Sequence, residues 1–233
     1  MSLNILVTGS SRGIGAAIVD ALPGHNVVGH ATSTGDGRIA ADLSQAGAAP
    51  ALWNEALERL GGRIDVLINN AGVFEAAPID DGHDAWLASW ERTMTVNLTA
   101  SAELCRLAVL HFGERGVGRI VNVASRAAYR GDSPAHWHYA ASKAGMVAMT
   151  KTIARAYAPG GVLAFAVCPG FTMTGMAEDY LASRGGDKLL ADIPLGRVAD
   201  PEEVGRTVAW LATDAPASMT GAVLDINGAS YVR

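Results

Sequence analysis

Apolar residues recur along this chain in two alternating rhythms. Short runs rich in Val and Ile, at residues 3–8, 26–31, 38–41, 65–69, 118–124, 162–168 and 223–226, are bounded by glycine or polar residues. Such runs predict strands buried on both faces. Between them lie longer stretches with apolar positions at intervals of three and four: 13–22, 48–60, 84–95, 98–114, 139–157, about 175–183, and 201–213. That spacing collects apolar side chains on one side of a helix. Strand and helix in regular alternation predict an α/β fold, a doubly wound parallel sheet of about seven strands. No linker, internal repeat or low-complexity tract interrupts the series, so residues 1–233 read as one domain. The helix at 98–114 has Leu104, Leu107, Val109, Leu110 and Phe112 spread around its circumference. One inner face needs fewer, and the surplus predicts a homo-oligomer, a tetramer or a dimer.

Two local features sharpen this picture. The helix from 201 has good start chemistry, with Asp200 as N-cap, Pro201 at the first position and Glu203 at the capping-box position. The crossover from the second strand to the third has only residues 32–41 available. A parallel crossover usually takes a dozen or more residues including a helix, so this helix is expected to be missing or reduced to a turn.

Composition narrows the function classes. Of 233 residues 49% are hydrophobic, enough for a sizeable core, and the net charge of −5 argues against nucleic acid or an anionic membrane as partner. No apolar run approaches the roughly 18 residues that span a bilayer, and Met1-Ser2-Leu3-Asn4 leads into a strand without the pattern of a secretory signal. Cys105 and Cys168 read as buried thiols in a reducing cytoplasm. The six histidines show no metal-ligand spacing, so no metal site is expected; His136 and His138 read as loop or pocket wall.

Candidate chemistry lies at Ser125, at the end of a strand, and at Tyr139 and Lys143, four residues apart on a helix. The last two share a face. A phenol has a free pKa of roughly 10, and a neighbouring ammonium favours its ionised form. With a serine hydroxyl aimed at the same oxygen, the trio suits proton exchange with a carbonyl or alcohol. Tyr-x-x-x-Lys alone equally describes a surface pair. At the other end of the chain, Thr8-Gly9-Ser10-Ser11-Arg12-Gly13-Ile14-Gly15 joins a strand to a helix. Backbone N–H groups and the helix dipole at such a junction suit a pyrophosphate. The spacing is Gly-x-x-x-Gly-x-Gly, not the usual Gly-x-Gly-x-x-Gly.

Taken in order, Thr8-Gly-x-x-x-Gly-x-Gly15, Asp65-Val-Leu-Ile-Asn-Asn-Ala-Gly72, Val96-Asn97, Ser125, Tyr139-x-x-x-Lys143 and Pro169-Gly170-x-x-x-Thr174 resemble the signature of the short-chain dehydrogenase/reductase family. Within it the chain is most similar to the 3-oxoacyl-carrier-protein reductase group, through Pro194–Val204 and Met219–Gly228. The resemblance implies a Rossmann-type fold, a nicotinamide dinucleotide and a small carbonyl or alcohol substrate. It implies Asn97, Ser125, Tyr139 and Lys143 as catalytic residues, with Asn97 holding a water near Lys143. It places the cofactor against Gly9, Ser11, Arg12, Gly13, Ile14 and Gly15, with Asp42 and Leu43 at the adenine. Asn69, Ala71 and Gly72 would line it, Asn69 serving either this purpose or bracing of the sheet. Tyr139, Lys143, Pro169, Gly170, Thr172 and Thr174 would meet its nicotinamide half. Family members commonly pair the helices at 98–114 and 139–157 across a dimer axis.

Cofactor choice is read after the second strand. No acid stands near Ala31 to repel a 2′-phosphate, whereas Arg12, Thr32 and Ser33 offer a charge and donors, and Arg38 adds a second charge. This favours NADP(H) over NAD(H), unless Asp36 points inward. The other reading of Arg12 is an ordinary solvated turn residue. The segment after Thr174 is where such enzymes vary, and its Gly185-Gly186 pair suits a hinge. Arg126 and Arg130 flank the candidate site in sequence and suit either an anionic substrate or surface ion pairs. A 3-oxoacyl thioester and a small ketone, sugar or cyclic alcohol both remain open, and a dinucleotide-binding sensor without chemistry is the reading from another class.

Overall fold

The computed structural model describes residues 2–173 and 190–233. One parallel sheet holds seven strands: β1 (Asn4–Val7), β2 (Asn26–Ala31), β3 (Ile39–Ala40), β4 (Val66–Asn69), β5 (Gly118–Val123), β6 (Val162–Pro169) and β7 (Val223–Ile226). Their order is β3-β2-β1-β4-β5-β6-β7. The chain winds outward from β1 to β3, then returns to β4 on the other side of β1. The crevice at the carboxyl ends of β1 and β4 is therefore the switch point at which such sheets take ligands.

Successive residues of a strand face opposite sides, so a sheet covered twice needs unbroken apolar runs. Leu6, Leu67, Ile120 and Ala164 pack with Leu52 and Trp53 of α2 (Ala48–Arg59), Leu104 and Phe112 of α4 (Ala100–Arg115) and Ile153 of α6 (Trp137–Tyr157). Ile5, Val7, Ile68, Val121 and Phe165 pack on the other side with Ile18 of α1 (Gly13–Asp20) and with Val204, Val208 and Leu211 of α7 (Pro201–Thr213). The capping box of α7 is formed, with the Asp200 N–H donating to Glu203 Oε2 at 2.9 Å. Among the described residues no helix is long and apolar enough to cross a membrane.

The loop from β2 to β3 contains no helix, as its length requires. The segment expected as two helices at 84–95 and 98–114 is corrected by the structure. α3 (His83–Met94) runs into α4 through one π-helical turn, Thr95–Thr99. Leu98 of that turn packs against Gly145 of α6, where even a Cβ would crowd it at 2.8 Å, so packing carries the helix through its β-branched stretch. A short helix, α5 (Ala127–Arg130), was not anticipated, and α6 starts at Trp137 instead of 139. The helix expected near 175–183, the Gly185-Gly186 hinge and Thr174 lie outside the described residues.

Candidate active site

β5 delivers Ser125 to the carboxyl crest of the sheet, where the residue is buried. The Ala127 N–H, opening α5, donates to Ser125 Oγ at 3.1 Å. This occupies a lone pair and leaves the hydroxyl proton for the oxygen of Tyr139, with which Ser125 is hydrogen-bonded. The Tyr139 ring meets Phe74 edge-on at 4.7 Å, and Phe74 stacks on His136 at 3.9 Å. One turn along α6, Lys143 is buried, its Nζ donating to the Val123 carbonyl at 2.8 Å and lying 5.8 Å from the Tyr139 ring centroid. The three groups expected to carry chemistry thus converge at one point.

Their electrostatics correct one expectation. Burial pushes the Tyr139 phenol up to about 12, against the opposing hydrogen bond from Ser125, and burial draws Lys143 down to about 8. Desolvation disfavours both charged forms. The ammonium is engaged by a carbonyl, so it does not pull the phenol down in this geometry. At neutral pH Tyr139 is a neutral donor.

Asn97 sits in the π-helical turn, fully buried. Its Oδ1 accepts from the Val73 N–H at 2.8 Å, and its Nδ2 donates to the Val73 carbonyl at 3.0 Å and to Ser142 Oγ at 3.2 Å. The amide therefore clamps the segment after Gly72 to α6. Widened turns of this kind are frequent at functional sites.

The glycine turn at the head of α1 is made of backbone pressed on backbone. Gly9 has φ +65°, and a Cβ on it would come within 2.7 Å of Ala71 Cα; a Cβ on Gly15 would collide with the Gly9 carbonyl. At Gly72 a Cβ would stand 3.2 Å from Asn97 Oδ1 and 3.5 Å from Lys143 Nζ. Ser11 and Arg12 are exposed, and the first N–H groups of α1, at Gly13, Ile14 and Gly15, precede any intrahelical acceptor. The cradle thus has anion-binding donors at one end and an ammonium at the other, which fits an elongated diphosphate ligand.

At the adenosine end, Thr32 and Ser33 are exposed, and the Asp36 carboxylate points to solvent, pairing with Arg38 at 2.7 Å. The Arg38 stem lies beside Gly29. Asp42 accepts from the Ser44 hydroxyl at 2.7 Å and its N–H at 3.0 Å, which holds the carboxyl below its ordinary value. Leu43 beside it is buried. At the other end Pro169 closes β6, the Gly170 N–H donates to the Ile226 carbonyl at 2.9 Å, and Thr172 Oγ donates to the Gly170 carbonyl at 3.3 Å.

Asn69 corrects a second expectation. Its side chain points into the interior, donating to Asn122 Oδ1 at 2.9 Å and reaching Cys105 Sγ at 3.2 Å. Of its two possible roles the side chain performs the bracing. The residue that serves the glycine turn is its neighbour Asn70, which sequence reasoning passed over. Asn70 Nδ2 donates to the Thr8 and Gly9 carbonyls at 3.0 and 2.9 Å, while Thr8 Oγ accepts from the Asn70 and Ala71 N–H groups at 3.0 Å each. The signal was the doublet itself: beyond a strand end two successive amides face different ways.

A family model described as enoyl-(acyl carrier protein) reductase matches residues 10–229. An acetoacetyl-CoA reductase of Rhizobium meliloti is 32% identical, the alignment covering 99% of each chain. A 3-oxoacyl-[acyl-carrier-protein] reductase of Vibrio cholerae is 33% identical over 97% of this chain and 96% of its own. A 3beta-hydroxysteroid dehydrogenase of Eggerthella lenta is 35% identical over 96% and 92%. Similarity that runs from end to end, on a parallel sheet with a glycine turn at its switch point, makes this chain a member of the short-chain dehydrogenase/reductase family, a nicotinamide-dinucleotide oxidoreductase that interconverts a carbonyl and a secondary alcohol.

Proposed function

We propose that the chain is an NADP(H)-preferring reductase of 3-oxoacyl thioesters, acting as one dinucleotide-binding catalytic domain. The observation that carries the chemistry is the Ser125–Tyr139 hydroxyl pair with Lys143 buried one helical turn behind it. The substrate class is supported by the acetoacetyl-CoA and 3-oxoacyl-[acyl-carrier-protein] reductases among the relatives. The comparably similar hydroxysteroid dehydrogenase supports a cyclic alcohol as the second reading.

In this reading Gly9, Ser11, Arg12, Gly13, Ile14 and Gly15 hold the diphosphate side, and Asp42 and Leu43 the adenine. Ala71, Gly72 and the backbone of Asn69 line the middle, and Lys143, Pro169, Gly170, Thr172 and Thr174 the nicotinamide half. When bound, the reduced dinucleotide supplies a hydride to the carbonyl carbon. Ser125 donates to the oxygen as negative charge develops there, its Oγ held by the Ala127 N–H. Tyr139 gives the same oxygen its proton. Lys143, charged below about pH 8, would by the family likeness bond the nicotinamide ribose. Asn97 keeps the segment after Gly72 in place and, by the family likeness, holds the water that returns a proton to this pair. Arg12, Thr32 and Ser33 favour a 2′-phosphate, which would compete with Asp36 for Arg38.

Further support exists for a homo-oligomer, tetramer or dimer: Leu110 of α4 and Tyr157 of α6 stay 53% and 45% exposed. A light-scattering mass of 24.1 kDa at micromolar concentration would refute it. The free buried thiols Cys105 and Cys168 suit a reducing cytoplasm. The decisive experiment measures NADPH and NADH oxidation against short 3-oxoacyl thioesters, cyclic ketones and sugars. Fastest turnover of a 3-oxoacyl thioester with NADPH is expected. Cofactor binding without turnover of any carbonyl would replace the enzyme by a dinucleotide-binding sensor.

A further inference from the structure

His30, the penultimate residue of β2, is 2% exposed and makes polar contacts in two directions. Its backbone carbonyl accepts from the Ser10 N–H at 2.8 Å and from Ser10 Oγ at 3.2 Å. Its ring accepts from the Gly9 N–H at Nδ1, 3.2 Å, and Nε2 stands 2.9 Å from the Ala41 carbonyl. A backbone N–H only donates and a carbonyl only accepts. The imidazole is therefore neutral, with its proton on Nε2.

This one side chain joins the two halves of the adenosine site. Gly9 opens the glycine turn, and Ala41 immediately precedes Asp42 and Leu43. Among the described residues the β2–β3 crossover has no helix, and β3 is tied to β2 by the pairs His30↔Ile39 and Ala31↔Ala40 and by the Ala41 N–H donating to the Ala31 carbonyl at 2.9 Å. Of the ties to this segment, only the His30 side chain also reaches the glycine turn. The peptide units of Gly9 are gripped from both sides, the N–H by His30 and the carbonyl by Asn70.

We propose that His30 is a positioning residue for the dinucleotide: its neutral imidazole sets the spacing between the phosphate turn and the adenine segment, and so controls cofactor affinity without touching the chemistry at Tyr139. The proposal rests on the dinucleotide reading of the glycine turn. Protonation would place an N–H against the Gly9 N–H, two donors face to face, and release the turn.

Burial lowers the His30 pKa below its ordinary 6.5, partly opposed by the bond to Ala41. The bound cofactor selects the neutral ring, so affinity falls as pH drops through that lowered value and is fully present above it. The charged groups on the surrounding elements are Arg12 at the head of α1 and Asp20 at its far end, Asp36 and Arg38 before β3, Asp42 after it, and Glu55, Glu58 and Arg59 on α2; β1 and β4 carry none. Ser44 holds Asp42 below the ordinary carboxylate range, outside this window.

The test is a titration of NADH, which has no 2′-phosphate to titrate, by fluorescence or calorimetry from pH 8 to pH 5. Wild type, His30→Asn and His30→Leu are compared. In wild type the Kd should rise as the pH falls toward 5. Asn restores an acceptor at the Nδ1 position and does not titrate, but it is too short to reach the Ala41 carbonyl, so its Kd should be weaker than wild type at pH 7.5, by less than that of Leu, and stay flat with pH. Leu should bind at least tenfold more weakly at pH 7.5, raising the cofactor KM far more than it lowers kcat at saturating NADH. A wild-type Kd independent of pH, or an Asn variant that follows the wild-type slope, overturns the role of His30 while dinucleotide binding stands. Wild type that binds neither NADH nor NADPH overturns the dinucleotide reading and this proposal with it. If Leu does not fold, the wild-type and Asn profiles decide alone.

Discussion

Replacing Tyr139 by Phe separates chemistry from structure unusually well at this site. The ring stays, and with it the edge-on contact to Phe74 at 4.7 Å, a type of pair that contributes about 0.5–1.5 kcal/mol beyond burial. The hydroxyl goes, taking one hydrogen bond with Ser125, a net loss of about 0.5–1.5 kcal/mol. In a chain of 233 residues each kcal/mol moves Tm by about 2–4 °C, so the melting point should fall by no more than about 6 °C. The turnover should suffer far more. A positioned general acid is worth about 10²–10⁴ in rate, and the remaining donor, Ser125, has no proton to give up at neutral pH. The expected result is a kcat lower by two to four orders of magnitude, with cofactor Kd within about threefold and Tm nearly kept. Stopped-flow or steady-state NADPH oxidation, a cofactor titration and calorimetry on one preparation measure all three. Turnover within tenfold of wild type, with Kd retained, would show that another group protonates the substrate and that the Ser125–Tyr139 pair is structural.

Wild type should bind NADPH at least tenfold tighter than NADH, and Arg12→Ala should remove most of that preference, since a charge-assisted bond to phosphate contributes about 1.5–3 kcal/mol; parallel titrations check it, and equal affinities in wild type would refute it. Reductive kcat/KM of the free enzyme should decline above about pH 8 as Lys143 loses its charge, while Tyr139, at about 12, remains protonated. Stability should move the other way: between about 8 and the ordinary 10.5 the unfolded lysine binds more protons than the folded one, so stability rises with pH. Urea midpoints at pH 7.5 and 9.5 would show a rise in wild type that Lys143→Met lacks. Asn122→Leu should cost about 2–3 kcal/mol, because Asn69 Nδ2 and Thr150 Oγ lose bonds of 2.9 and 2.8 Å inside the protein; an unchanged urea midpoint would refute that reading of the network.

The sheet was legible in the sequence because a strand buried on both faces has no choice but to be apolar throughout. Ile5 and Leu6 go to different cores, yet both must be apolar, and the run shows it. The missing helix of residues 32–41 was legible as arithmetic on chain length. The π-helical turn was not, because Thr95-Val-Asn-Leu-Thr99 reads as a helix break, and only the fit of Leu98 onto Gly145 keeps it helical. Ser125, Tyr139 and Lys143 were legible as a constellation, but the direction of their pKa shifts was not. That direction depends on how deeply Lys143 is buried and on its bond to Val123, and no local pattern states either. His30 left no trace for the same reason: its partners are 21 residues behind and 11 ahead.

What holds the catalytic helix at the right height is a polar seam below the site. Asn122 lies in β5, three residues before Ser125, which follows the strand's end, and Thr150 lies seven after Lys143, two turns along the same face of α6. Asn122 Nδ2 donates to Thr150 Oγ at 2.8 Å, and Thr150 in turn donates to the Met146 carbonyl at 2.8 Å. The seam continues through Asn69 to Cys105, so it joins β4, β5, α4 and α6. An apolar seam of the same volume would let α6 slide along β5 at little cost, because dispersion contacts are non-directional. A hydrogen bond buried between two elements tolerates no such slip, since its loss leaves both groups unsatisfied. Fixing Thr150 against Asn122 therefore fixes Lys143 beneath the Val123 carbonyl and Tyr139 against Ser125. The register of one helix on one strand, set in the interior, determines whether two hydroxyls meet at the surface of the crevice.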